Sequence, residues 1–314
     1  MGNYVARRIF ATIPVMGVVA IIVFLMLRLS PGDPAAIIAG DHATSDEIAE
    51  IREHLGLDRP LLEQFIRWLG QLVSGDFGVS IYMEQPVLGL ILERVEPTLA
   101  LAISTMIFAI ALAVPLGVIA AWRAGSWVDQ TIMALSVLAF SVPVFLIGYG
   151  LVMGFSLALE LLPVQGFVSI SEDPIGFLQH ILLPTVALGL VYTALLARIT
   201  RATMLEVLQQ DYIRTARATG AGQRNILFLH ALKNAAVPIV TVIGIGIALL
   251  IGGAVVTETV FNLPGLGNLV VRAVLRRDYP VIQGALLVIA GIYVIINFTI
   301  DVLYVFVDPR VRHG

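Results

Sequence analysis

Six stretches of this chain are long, apolar and almost free of charge, and they limit what it can become. They cover residues 9–27, 98–121, 132–157, 181–197, 238–256 and 281–306, and the one charged side chain in all six is Asp301. The shortest has 17 residues and the longest 26. A helix of 19 residues rises about 28 Å, close to the hydrocarbon thickness of a bilayer. The chain is 58% hydrophobic and 13% charged, with mean hydropathy +0.93. Soluble domains carry roughly twice that charge fraction. No soluble core absorbs so much apolar surface, so the expectation is an all-α polytopic membrane protein with six transmembrane helices. The first run follows Arg7 and Arg8 and resembles a signal peptide. It is longer than a signal core and ends in Arg28 and the string LSPGDP rather than a small-residue cleavage site, which reads as an uncleaved span.

Basic residues orient the spans. With the N-terminus inside, the cytoplasmic side holds 11 of the 19 Lys and Arg residues and only four acids, Asp129, Glu206, Asp211 and Asp308. The outer side holds 17 of the 22 acids. Arg272, Arg276 and Arg277 go against this pattern, yet the count still places both termini in the cytoplasm. Three parts follow: residues 1–29 with the first span, an outer segment 30–97, and a core 98–314 with five spans. The outer segment has 12 acids and four arginines, a net charge of −8. Thr44 and Glu47 are spaced as a capping box, and Ile48, Ile51 and Leu55 follow at helical spacing. Leu62, Phe65, Ile66, Leu69, Leu72 and Val73 repeat that spacing after Pro60. Two short amphipathic helices are expected, packed on the membrane part or receiving something from outside.

No chemistry is visible in the motifs. The single lysine, Lys233, lies between Leu232 and Asn234, which excludes a nucleotide-binding P-loop. No G-x-S-x-G, H-E-x-x-H or paired metal-ligand spacing occurs. With no cysteine there is no disulfide or thiol chemistry. Gly244, Ala248 and Gly252 form a small-residue face suited to close helix packing, inside this chain or against a second subunit. Pro115, Pro143 and Gly148 are candidate kinks. Tyr293, Asn297 and Asp301 share one helix face; Asp301 reads as an interfacial acid paired with an arginine. In 257–281, Asn262, Pro264, Gly265 and Gly267 break the helix, and a short apolar turn or two follows. That pattern fits an ordinary loop, or a re-entrant or interfacial segment at the outer mouth of a pathway.

The most informative connector is 211–238, within the inner segment 198–237. It carries Arg214, Arg217, Arg224 and Lys233 against one acid, Asp211. Between them stand Ala216, Ala218, Gly220, Ala221 and Gly222. Ala216 and Gly220 fall one helical turn apart, the glycines then break the helix, and Ile226, Leu227 and His230 begin another. Charge alone explains this segment as a topogenic loop. The small residues add a second reading, a knob that docks a partner supplying energy the chain lacks.

At these residues the chain resembles permease subunits of bacterial ATP-binding-cassette importers of the peptide, glutathione and nickel group. The run Asp211, Tyr212, Ile213, Arg214, Thr215, Ala216, Arg217, Ala218, Thr219, Gly220 is similar to that group's form of the EAA loop. Arg214 and Thr215 stand where the general pattern has Glu and Ala, and His230 and Lys233 where it has Ile and Pro; Ala216, Gly220 and Leu232 agree. Further likenesses run in order along the chain: 29–34 (LSPGDP), 55–59 (LGLDR), 75–80 (GDFGVS), 258–267 (ETVFNLPGLG), 277–283 (RDYPVIQ) and 308–310 (DPR). The resemblance implies the type I importer permease fold in a bacterial inner membrane. It implies a second permease, two cytoplasmic ATPases that hold ATP and Mg, an external substrate-binding protein, surrounding lipid and no nucleic acid. It implies no cofactor and no catalysis on this chain, with short peptides as cargo, and glutathione or nickel as alternatives. In that family Asp211, Tyr212, Arg214, Thr215, Ala216, Arg217, Ala218 and Gly220 would seat the ATPase. A rival, an ion-driven secondary carrier, needs buried titratable pairs that the spans lack.

Overall fold

The computed structural model describes residues 2–29, 35–36, 44–54 and 56–307, setting aside the side chains of 2–9, 27–29, 51, 54, 248, 251 and 301–307. The likenesses at 30–34 and 308–310 and the side chains of Asp301 and Ala248 lie outside this description. Every long element among the described residues is helical: α1 Gly2–Leu29, α2 Ser45–His54, α3 Leu61–Val73, α4 Val87–Trp122, α5 Trp127–Ser141, α6 Val144–Leu151, α7 Pro174–Leu208, α8 Asp211–Ala218, α9 Leu232–Val260, α10 Leu266–Arg276 and α11 Tyr279–Val307. The polypeptide divides into two compact units, Met1–Val95 with Asn268–Ile295, and Glu96–Gly267 with Ile296–Gly314.

Four stretches are long and apolar enough to cross a membrane singly: Val87–Trp122, Pro174–Leu208, Gln223–Ile247 and Tyr279–Ile300. A fifth is broken. Trp127–Ser141 and Val144–Ala158 meet at 99°. The cause is local: Val142 precedes Pro143 and takes φ −85°, ψ 126°, the extended backbone that a following proline enforces. Of the first expected span, the 17-residue apolar stretch Phe10–Met26 is described with its side chains. Pro115 and Pro184 behave otherwise; each lies inside a continuous helix. α7 starts where its sequence directs, with Asp173 accepting from the Ile175 N–H (3.0 Å) and Pro174 at the first helical position.

In the first unit α3 packs on α1. Phe24 meets the Phe65 ring edge-on at 5.2 Å between centroids and lies 5.5 Å from that of Trp68. Ala20, Val23 and Leu287 are the buried members of this cluster. Both expected outer helices are present. The Thr44 N–H donates to Glu47 Oε2 (2.7 Å) and the Glu47 N–H to Thr44 Oγ1 (3.4 Å), the reciprocal capping box. A loop is tied down at Asp278, whose carboxylate accepts from Ser80 Oγ (2.5 Å) and from the amides of Ile81 and Tyr82 (3.3 and 3.4 Å).

The second unit is organised around α7, which packs against α5, α6 and α9. One core cluster joins Leu101, Leu183, Leu188, Leu250, Phe261 and Leu263; another joins Val118, Leu196, Met204, Ile213, Ile226 and Leu227. α5 is pinned to α7 by a two-pronged ion pair: Arg201 Nε to Asp129 Oδ1 (2.5 Å) and Nη2 to Oδ2 (2.6 Å). Asp129 is buried and also accepts from the Gly125 N–H (2.9 Å).

Candidate docking site and a second helix stop

The segment 198–237, expected on the inner side, is less of a loop than its composition implies. α7 continues to Leu208, and α8 begins at Asp211. Asp211 stands in the first turn, where a carboxylate complements the helix dipole. Its 3.2 Å ion pair with Arg214 is open to water and contributes little. What fixes α8 is Ile213, wholly buried beside Met204, Ile226 and Leu227. Arg214, Thr215, Arg217 and Ala218 are exposed around the rest of the helix, and Ala216 is half-buried. Partial burial pushes the Tyr212 phenol above its ordinary value.

The helix stops at Gly220 for an identifiable reason. The Gly220 N–H donates to the Arg217 carbonyl (3.1 Å) and the Ala221 N–H to that of Ala216 (3.0 Å). These two bonds form a Schellman cap, which demands left-handed backbone at Gly220; its φ is +84°. A Cβ there would meet nothing within 4 Å, so glycine is needed for conformation and not for room. From Gly222 the chain takes one turn, Gln223–Asn225, and a π-helical segment, Ile226–Ala231, before α9. The expected knob is therefore a short helix, a glycine stop and a second helix start. Its cations Arg214, Arg217, Arg224 and Lys233 all face solvent.

The small-residue face of α9 is mixed. A Cβ on Gly244 would come within 2.7 Å of Ile300 Cγ2, so this position packs inside the chain, whereas Gly252 faces open space. Gly148, a candidate kink, permits close approach: a Cβ would meet Val260 and Phe261 at 3.1 and 3.2 Å.

At the far end of α9 the stop is repeated around a polar centre. Asn262 has φ +47°, its N–H donates to the Thr259 carbonyl (3.3 Å), and the Leu263 N–H donates to that of Glu258 (2.8 Å). Pro264 follows just past the cap, where the helix cannot continue. Glu258 is completely buried. Thr98 Oγ1 donates to Glu258 Oε1 (2.6 Å) and accepts from the Leu266 N–H (2.8 Å). Gly265 and Gly267 provide the space. A Cβ on Gly265 would overlap the Glu258 carboxyl, and one on Gly267 would lie 2.7 Å from Val255 Cα. Sequence reasoning picked out Asn262, Pro264, Gly265 and Gly267 but missed Glu258. The available signal was an acid two residues past an uncharged run, followed by glycines without an obvious turn. Ile213 was missed likewise, being an apolar residue among charges.

Four helices long and apolar enough to span, a sharply bent apolar pair and buried polar ties between helices define a polytopic helical membrane protein. Comparison with known proteins narrows that class. Residues 113–313 match the family described as binding-protein-dependent transport system inner membrane component, and residues 1–113 match its N-terminal counterpart. A probable peptide ABC transporter permease protein of Sinorhizobium fredii is 52% identical over 313 residues, covering all of both chains. A putative peptide transport system permease protein of Brucella abortus is 44% identical over the whole of both chains. A glutathione transport system permease protein of Escherichia coli is 41% identical over 314 residues, again the whole of both. The fold is that of a chain in an inward-facing structure of the MetNI methionine ABC transporter, with TM-score 0.60 and 20% identity, covering 72% of this chain and 100% of that one. The chain belongs to the family of binding-protein-dependent transport system inner-membrane components.

Proposed function

We propose that the chain is one of two homologous permease subunits of an ATP-driven importer of short peptides, with α8 and the Gly220 turn as the seat of a cytoplasmic ATPase. The chief support is the geometry of α8: an exposed short helix with Asp211, Tyr212, Arg214, Thr215, Ala216, Arg217 and Ala218, ended by a left-handed glycine and anchored by one buried side chain. In this reading two ATPases bind ATP and Mg, and their closure displaces α8. Ile213 passes the displacement to α7 and to the π-helical segment that leads into α9, because its neighbours Met204, Ile226 and Leu227 belong to those segments. Packed interiors transmit such shifts rather than absorb them. Ala248 and Gly252 then line the junction with the second permease while Gly244 packs on Ile300 within the chain, the turn Asn262, Pro264, Gly265, Gly267 borders the outer mouth, and an external binding protein delivers cargo. Peptide cargo follows the names of the S. fredii and B. abortus relatives. The E. coli relative favours glutathione, itself a short peptide, as a second reading.

Gly220→Leu tests the docking role. It is expected to abolish peptide uptake with membrane insertion intact, while Gly220→Asn, which tolerates left-handed backbone, retains uptake. Uptake by Gly220→Leu at the unmodified rate overturns the assignment. Cargo is decided by isolating the complex, identifying the external protein that accompanies it and measuring what that protein binds.

A further inference from the structure

We propose that α3 is an interfacial anchor, lying at the boundary between lipid headgroups and hydrocarbon with a second apolar face pressed into the bilayer. α3 has two apolar faces. Phe65, Trp68 and Leu72 pack on α1. Leu62, Ile66, Leu69 and Val73 recur at i, i+4, i+7 and i+11 and form an adjacent stripe left exposed among the described residues; Leu62 is 70% exposed and Val73 83%. Water contact over such a stripe is unfavourable by about 25 cal/mol for each Å².

The occupant follows from depth. Phe24, the α1 residue that holds Phe65 and Trp68, lies three residues before the end of the uncharged run 9–27, or about 4.5 Å along the helix. That is the level where a bilayer's hydrocarbon gives way to headgroups, and where tryptophan concentrates. A helix held at that level cannot direct an apolar stripe into bulk water without cost, and lipid is already at hand. α1 itself leaves Phe10, Val18, Ile21, Ile22 and Met26 uncovered. The charges of α3 fall on the remaining sector. Glu63 takes Arg59 at 2.6 Å and Arg67 at 3.2 Å, in water-exposed ion pairs. Polar residues on one side and a wide apolar sector on the other are the pattern of helices lying in the interface plane. The inference requires α1 to cross the membrane and is independent of cargo.

The chain has no cysteine, so single reporters are simple to introduce. Ile66→Cys and Val73→Cys, with Arg67→Cys and Gln71→Cys as polar-side controls, are spin-labelled in the full chain within its purified complex. The sample is reconstituted in nanodiscs of phosphatidylethanolamine and phosphatidylglycerol. The readout is accessibility to oxygen relative to a water-soluble nickel chelate. A ratio several-fold higher at 66 and 73 than at 67 and 71 is the expected result. Equal, chelate-accessible signals at all four positions place the stripe in water and overturn the proposal. Protection of 66 and 73 from both reagents overturns it in favour of a polypeptide partner.

Discussion

α8 and α9 end by the same hydrogen-bond pattern, with opposite surroundings. At the end of α8 the left-handed residue is Gly220, exposed, with open space where a side chain would stand. At the end of α9 it is Asn262, and the turn that follows closes around the buried Glu258 carboxylate, with Gly265 and Gly267 in van der Waals contact. One turn is presented and the other is clamped. A helix stop sets chain direction in both places, and the neighbours decide whether the turn is free to meet a partner or held to the core. The two turns therefore differ in what a mutation does to them.

The largest effect is expected at Gly267→Ala. The new methyl meets Val255 main chain, which cannot yield cheaply, and a loss of about 3 kcal/mol or failure to accumulate folded protein is expected from thermal unfolding in detergent. Next is Thr98→Val. It removes the hydroxyl that joins Glu258 to the Leu266 amide, leaving that amide without this bond and the carboxylate with one donor fewer, for about 2 kcal/mol in the same assay. Gly220→Ala should be milder, about 1 kcal/mol, because the cost is purely conformational, and Gly220→Asn should recover most of it. If Gly220→Ala unfolds the protein as readily as Gly267→Ala, the contrast between presented and clamped turns is lost. The smallest effect concerns a helix start open to water. The Thr44 amide, then its hydroxyl, hold the Glu47 carboxyl below its ordinary value. That contribution to α2 is present above the usual carboxylate range and is lost as pH falls through the lowered value. Hydrogen-exchange protection of the Glu47 and Ile48 amides, corrected for intrinsic rates, should fall in that acid window and not above it.

Much of the fold was legible because its signals are local. An uncharged run, a capping box and a proline each act within a few residues, so α2, α3 and the break at Pro143 appear where the sequence places them. Helix lengths were not legible in the same way. α4 runs through Glu93, Arg94 and Glu96 and α7 from Pro174 to Leu208, since tertiary packing extends helices past the apolar window that marks a span. The same division holds at the site. Gly220 was legible from the small residues around it. Glu258 was not, because its meaning depends on Thr98, 160 positions earlier, and neither residue is unusual alone. Ile213 gained its role only when α7 and the π-helical segment before α9 converged on it.

The Thr98–Glu258 hook also sets an order of events during synthesis. The caps at Gly220 and Asn262 are each completed within six consecutive residues, so α8 and α9 can be delimited as they leave the ribosome. The hook cannot close until 160 further residues have been added, roughly 10–30 s later at ordinary elongation rates. Until then the Thr98 hydroxyl has yet to meet the acid it will hold. Assembly of the turn at Asn262 is thus a late step in biogenesis, taken after most of the apolar helices have been made.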